Sequence, residues 1–182
     1  MKIGGVMASK LDLILPWQQD LPEGKLGFEH HAVKKYEEEL SKKDLKKVLL
    51  IDDSMRAIST LNKIFNNLGC NTFVSFDGYA AINSLMQTDV DLIILDMMMD
   101  GLDGSSTLEK ADELLLRLHE DDDYLDLENS KIPVVIYSGL ESRNIHVKET
   151  KYFRLIDVWQ KPISYSQLFS KAENILMETR KP

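Results

Sequence analysis

Four apolar runs along this chain end in polar residues. Val48 to Ile51 leads into Asp52 and Asp53, and Leu92 to Leu95 leads into Asp96. Ile132 to Tyr137 leads into Ser138 and Gly139, and the run from Leu155 leads into Lys161 and Pro162. The second run, at four residues, is too short for a helix. It fits a strand buried on both faces, as parallel sheets require. Between the runs the apolar period changes to that of a helix. Ser54 reads as an N-cap, and Met55, Ile58, Leu61, Ile64, Phe65 and Leu68 form an inward stripe that Gly69 stops. Asn71 to Phe76 reads as a further strand, Asp77-Gly78 as a turn, and Ala80, Ala81, Ile82, Leu85 and Met86 as a second helical face. Leu108, Ala111, Leu114, Leu115 and Leu118 predict a helix from about Ser105 to His119. Tyr165, Leu168, Phe169, Ala172, Ile175 and Leu176 predict one from about Ser164 to Glu178. Leu140 to Arg154 has only weak periodicity, so a helix there is short or irregular. Five strands alternating with five helices make an α/β fold with a parallel sheet and right-handed crossovers.

In open sheets of this kind ligands bind beyond the carboxyl ends of the strands. Asp96 is therefore a carboxylate at the mouth of a site, and Gly101 and Gly104 turn the chain just after it. A carboxylate can attack phosphorus and form an acyl phosphate. An incoming phosphoryl group is anionic, however, and Asp52, Asp53 and Asp96 would repel it and one another. A divalent cation removes both obstacles. Mg²⁺ takes one or two carboxylates, keeps waters and binds phosphate oxygens.

The ordered set of paired acids, single acid, hydroxyl and lysine resembles the receiver domain of bacterial two-component response regulators, over residues 46 to 180. The resemblance implies a flavodoxin-like sheet of order 2-1-3-4-5. It implies that Asp96 is the phosphoacceptor and that Lys161 and Ser138 assist it. It also implies Mg²⁺ bound directly by Asp53, Asp96 and the Met98 carbonyl, and through water by Asp52. The function that follows is a phosphorelay switch: a sensor histidine kinase or phosphotransfer protein phosphorylates Asp96, and a downstream protein partner reads the altered surface. Two positions depart from the family. Asp100 stands where proline is common, and Val158 stands three residues before the lysine, where Tyr or Phe is usual. Strand alternation points the neighbouring Trp159 to the other face.

Other function classes remain in view. Haloacid-dehalogenase-type phosphatases also use a strand-end Asp, but they need a second Asp two positions on, where this chain has Met98. A phosphorylation-independent scaffold is disfavoured by the intact acids and lysine. Flavin binding lacks a Ser/Thr/Gly-rich loop after the first strand.

A net charge of -8 argues against a sequence-independent grip on nucleic acid, so no direct DNA binding is expected. Cys70 is the only cysteine, which excludes an intrachain disulfide and suits a packing role. No signal-peptide core or membrane-length apolar run is present, so a cytoplasmic protein with no membrane contact is expected. No output domain is expected after the last helix.

The domain reading is a receiver over 46–182 preceded by an extension over 1–45. Within the extension, Phe28, Ala32, Val33, Tyr36 and Leu40 predict a helix, and with Leu11 to Trp17 they suggest an arm that docks on the receiver or forms a homodimer. His30 and His31 read as polar helix residues, without the pattern of a phosphotransfer histidine. Glu120 to Ser130 is acidic but lacks the glycine and ligand spacing of a calcium loop, so it reads as solvated.

Overall fold

The structure, a computed structural model, describes residues 45–119, 131–148 and 150–179. The arm, His30, His31 and the acidic segment 120–130 lie outside the described residues.

Five strands, β1 (Lys47–Ile51), β2 (Asn71–Ser75), β3 (Leu92–Leu95), β4 (Ile132–Ser138) and β5 (Phe153–Gln160), form one sheet of order β2-β1-β3-β4-β5. Every pairing is parallel. The expected order is therefore the observed one. The helices are α1 (Met55–Asn67), α2 (Gly78–Gln87), α3 (Gly104–Leu118) and α4 (Tyr165–Glu178). All four take a side-chain N-cap, from Ser54, Asp77, Asp103 and Ser164 respectively. Asp103 lies in the acidic turn after Asp96, where sequence alone suggests a solvated loop residue. Its carboxylate instead accepts the Ser106 N–H at 2.7 Å and starts α3.

The continuous apolar runs are explained by two cores, one on each sheet face. Val48, Leu50, Ile94, Val135 and Trp159 pack beneath α1 and α4, with Cys70 in the same cluster. Leu49, Ile51, Ile93, Leu95 and Val134 pack beneath α2 and α3. The helical stripes overreach at four points: Met55, Leu114, Leu118 and Tyr165 are exposed. Met55, Leu118 and Tyr165 lie at helix ends, past the layer that their neighbours bury, and Leu114 lies at the edge of its stripe beside the buried Leu115.

The crossover from β4 to β5 is where expectation and structure part. Five helices were expected; among the described residues there are four, and Ser142–Asn144 is a single 3-10 turn. The chain then lies along α3. Ser105 donates its hydroxyl to the His146 carbonyl at 3.1 Å, and Lys148 pairs with Glu109 at 2.8 Å. Asp112 accepts the N–H groups of Lys151 and Tyr152 at 2.9 and 2.8 Å. The Tyr152 hydroxyl donates to the Leu115 carbonyl at 3.3 Å and lies 3.2 Å from His119 Nδ1. Positions 105, 109, 112, 115 and 119 lie on one helix face, since residues three and four apart are neighbours. The segment is thus a strap of side-chain and backbone polar contacts, which has no apolar period to read. It ends two residues before the predicted strand start, because Phe153 and Arg154 already belong to β5.

Candidate functional site

The polar tips meet at the carboxyl end of the sheet because β1 and β3 are neighbours in register. Ile51 pairs with Leu95, which sets Asp52 beside Asp96, and the Asp96 N–H donates to the Ile51 carbonyl at 2.8 Å. The Lys161 N–H donates to the Ser138 carbonyl at 2.8 Å, joining the tips of β4 and β5. The Lys161 ammonium then reaches back to Asp52 Oδ2 at 2.7 Å and Asp96 Oδ2 at 2.8 Å.

Each carboxylate is held from its other oxygen by a local backbone donor. Asp52 Oδ1 accepts the Ser54 N–H at 2.9 Å, and Asp96 Oδ1 accepts the Met98 N–H at 3.2 Å. Asp52 and Asp96 are buried, whereas Asp53 is exposed. Oxygens of all three lie within 4.8 Å of one another. Ser138 is also buried, and its hydroxyl oxygen accepts the Leu140 N–H at 3.4 Å, which leaves its own proton to donate.

The electrostatics follow from this crowding. Burial raises the pKa of Asp52, against the opposing pull of Lys161 and the Ser54 N–H. Burial works to lower Lys161, but hydrogen bonds to Asp52 and Asp96 outweigh it and hold the ammonium above its usual range. Three carboxylates face one ammonium, so negative charge is in excess. Hard oxygen donors, close spacing and uncompensated charge fit a Mg²⁺-sized cation well.

The close approach at Asp96 depends on Gly104. A Cβ there would collide with the Asp96 carbonyl oxygen and stand 3.0 Å from Met97 Cα. Gly101 supplies the positive φ, 81°, that turns the chain back toward α3.

The predicted residues Asp52, Asp53, Asp96 and Lys161 are brought together, and Ser138 is tied through its backbone to Lys161. Met98 is half exposed beside them, with its N–H turned to Asp96. Sequence reasoning missed Tyr137 and Gln160. The Lys161 ammonium lies 4.8 Å from the centre of the Tyr137 ring. Gln160 Nε2 donates to the Gly139 carbonyl at 3.1 Å. The position of each beside a functional residue was the only signal. Val158 is half-buried and Trp159 is fully buried on the opposite face, as alternation predicts. The register between β4 and β5 shifts by one residue at Val134/Val135, where Ile156 is the extra residue.

Comparisons with known proteins fit this arrangement. The transcriptional regulatory protein ZraR of Salmonella typhimurium is 25% identical over 133 residues, covering 73% of this chain but 27% of that protein. Sporulation initiation phosphotransferase F of Bacillus subtilis is 34% identical over 64 residues, covering 35% of this chain and 52% of that protein. The chain therefore spans about a quarter to a half of these relatives. Among solved structures, the receiver domain of the Francisella response regulator 1452 is 26% identical with a TM-score of 0.51, covering 74% of this chain and 99% of that one. A CheY-like receiver domain from Methylobacillus flagellatus, 16% identical with a TM-score of 0.55, covers 75% of this chain and 100% of that one, and shows the fold alone. In the described residues no helix is long and apolar enough to cross a membrane. Residues 48–173 match the family model of the response regulator receiver domain, and with acids, hydroxyl and lysine gathered at one end of its sheet, this chain belongs to that family.

Proposed function

We propose that Asp96 accepts a phosphoryl group from a phosphohistidine on a sensor kinase or phosphotransfer protein, and that the modified site switches a protein-binding surface. Receiver domains are phosphoacceptor switches with an acidic Mg²⁺ pocket, and the acid cluster here fits phosphoryl transfer. The observation that carries the reading is the Lys161 ammonium shared between Asp52 and Asp96.

In the proposed reaction an Asp96 carboxylate oxygen forms a bond to phosphorus as the nitrogen–phosphorus bond of the phosphohistidine breaks. The imidazole leaves with that electron pair. Asp53, Asp96 and the Met98 carbonyl would hold Mg²⁺, with Asp52 acting through water. The ion would supply charge neutralisation to the phosphoryl oxygens. Met98 N–H keeps the Asp96 carboxylate oriented. Lys161 exchanges its contact with Asp96 for one with a phosphoryl oxygen while Asp52 retains it, so the lysine reports the change to β5. Ser138 donates its hydroxyl proton to another phosphoryl oxygen. Val158 occupies the family's aromatic position, so the movement of Ser138 passes to β5 and α4 by another route, through the backbone link from Ser138 to Lys161.

This reading makes the protein a stoichiometric acceptor that assists its own phosphorylation and dephosphorylation, acting in the cytoplasm without contacting DNA. The segment 1–45 would serve as a docking or dimer arm. Incubation with a small phosphodonor tests the metal step. EDTA should abolish incorporation, and Asp53→Asn should weaken Mg²⁺ binding more than any other single carboxylate change while leaving the fold intact. Incorporation that is indifferent to EDTA would contradict the assignment.

A further inference from the structure

Among the described residues, the strap along α3 leaves part of the sheet beside it uncovered. A groove of about 260 Å³ opens there, at the amino end of β4 and β5. Val134, Phe153 and Leu108 form its floor and are buried from below, whereas Leu155 is 44% exposed. Lys131, Lys148 and Arg154 surround this apolar floor. The chain as a whole carries 30 acids against 22 Lys and Arg, so three cations gathered at one groove are unusual for its composition. Lys148 is paired with Glu109 at 2.8 Å, and Glu113 also acts on it at longer range. Among the described residues no ion pair is made by Lys131 or Arg154. The groove is also remote from the acidic site. Lys131 precedes β4 and Ser138 ends it, a separation on the order of 20 Å at the rise of a strand.

We propose that this groove docks an acidic segment of a partner protein, with a large apolar side chain seated over Leu155 and flanking carboxylates at Lys131, Lys148 and Arg154. Charge complementarity selects this occupant. A second copy related by twofold symmetry would bring the same cationic patch against itself and repel. The groove exists because a 3-10 turn and strap stand where a helix was expected, so it is a property of this crossover and is independent of phosphorylation.

The test uses the full chain and a fluorescein-labelled peptide in which a Leu-Phe pair is flanked on each side by two glutamates. The peptide should bind saturably, and binding should weaken as salt is raised. A control with glutamine for glutamate should bind about tenfold more weakly. Lys131→Glu combined with Arg154→Glu should cost at least as much. Leu155→Asp should also weaken binding, with circular dichroism unchanged in both variants. A lysine-flanked peptide should regain affinity for the charge-reversed protein. Equal binding of the glutamate and glutamine peptides, or affinity unchanged by the double reversal, overturns the proposal. It is equally overturned if the protein is a dimer that the reversal dissociates, which assigns the groove to a second copy. Binding that appears only after Asp121, Asp122, Asp123 and Asp126 are changed to Asn assigns it to the chain's own acidic segment.

Discussion

The junction from β3 to α3 and the crossover from β4 to β5 solve the same problem in different ways. Each must leave the carboxyl end of a buried strand and carry the chain across the sheet. The first does so with fixed backbone: Gly101 at positive φ, the Asp103 cap, and Gly104 packed against the Asp96 carbonyl. The second does so with polar contacts to α3, which hold an extended strap where a helix was expected. The difference follows from what each must position. Asp96 is a nucleophile candidate that needs one placement relative to Asp52 and Lys161. The later half of the β4–β5 crossover positions nothing at that end of the sheet, so its form is free to vary and to open a groove.

If that comparison holds, damage to the two connections should differ in kind. The largest effect is expected from Gly104→Ala. The new methyl meets backbone that cannot move cheaply, so unfolding free energy should fall by about 3 kcal/mol, and phosphorylation with it. Denaturant titration measures the first. A fall of only a few tenths would show that the junction is not rigid. Asp112→Ala should cost less, about 1.5 kcal/mol, because two backbone N–H groups lose a charged acceptor but can reach water. Its phosphorylation rate should stay near that of the unaltered protein. A large loss of rate would mean that strap and site are coupled.

The smallest effect should have the opposite sign. Burial raises the folded-state pKa of Asp52 above its unfolded value, so ionising it opposes folding. That penalty is absent below the unfolded pKa and is complete once pH exceeds the folded one. Asp52→Asn should therefore raise the thermal midpoint slightly at neutral pH without metal, and the gain should shrink on acidification. A lower midpoint at neutral pH would show that the Lys161 contact outweighs the crowding.

The same contrast explains what could be read from sequence. The strand tips were legible because a strand buried on both faces is an unbroken apolar run, and its polar terminus is then conspicuous. Asp52, Asp96, Ser138 and Lys161 were all found this way. The cap role of Asp103 was hidden because acids around a turn look alike until the helix start is known. The strap was illegible because its order comes from Ser105, Glu109 and Asp112, which are distant in sequence and read as a solvated helix face. The extra residue at Ile156 was hidden for a related reason: a bulge is defined by the partner strand.

The most direct test of the central claim is the intact mass of the protein after incubation with Mg²⁺ and a small phosphodonor, beside an Asp96→Asn variant of unchanged fold. The account predicts the added mass of one phosphoryl group on the unaltered chain and none on the variant. Equal incorporation by the two would contradict it.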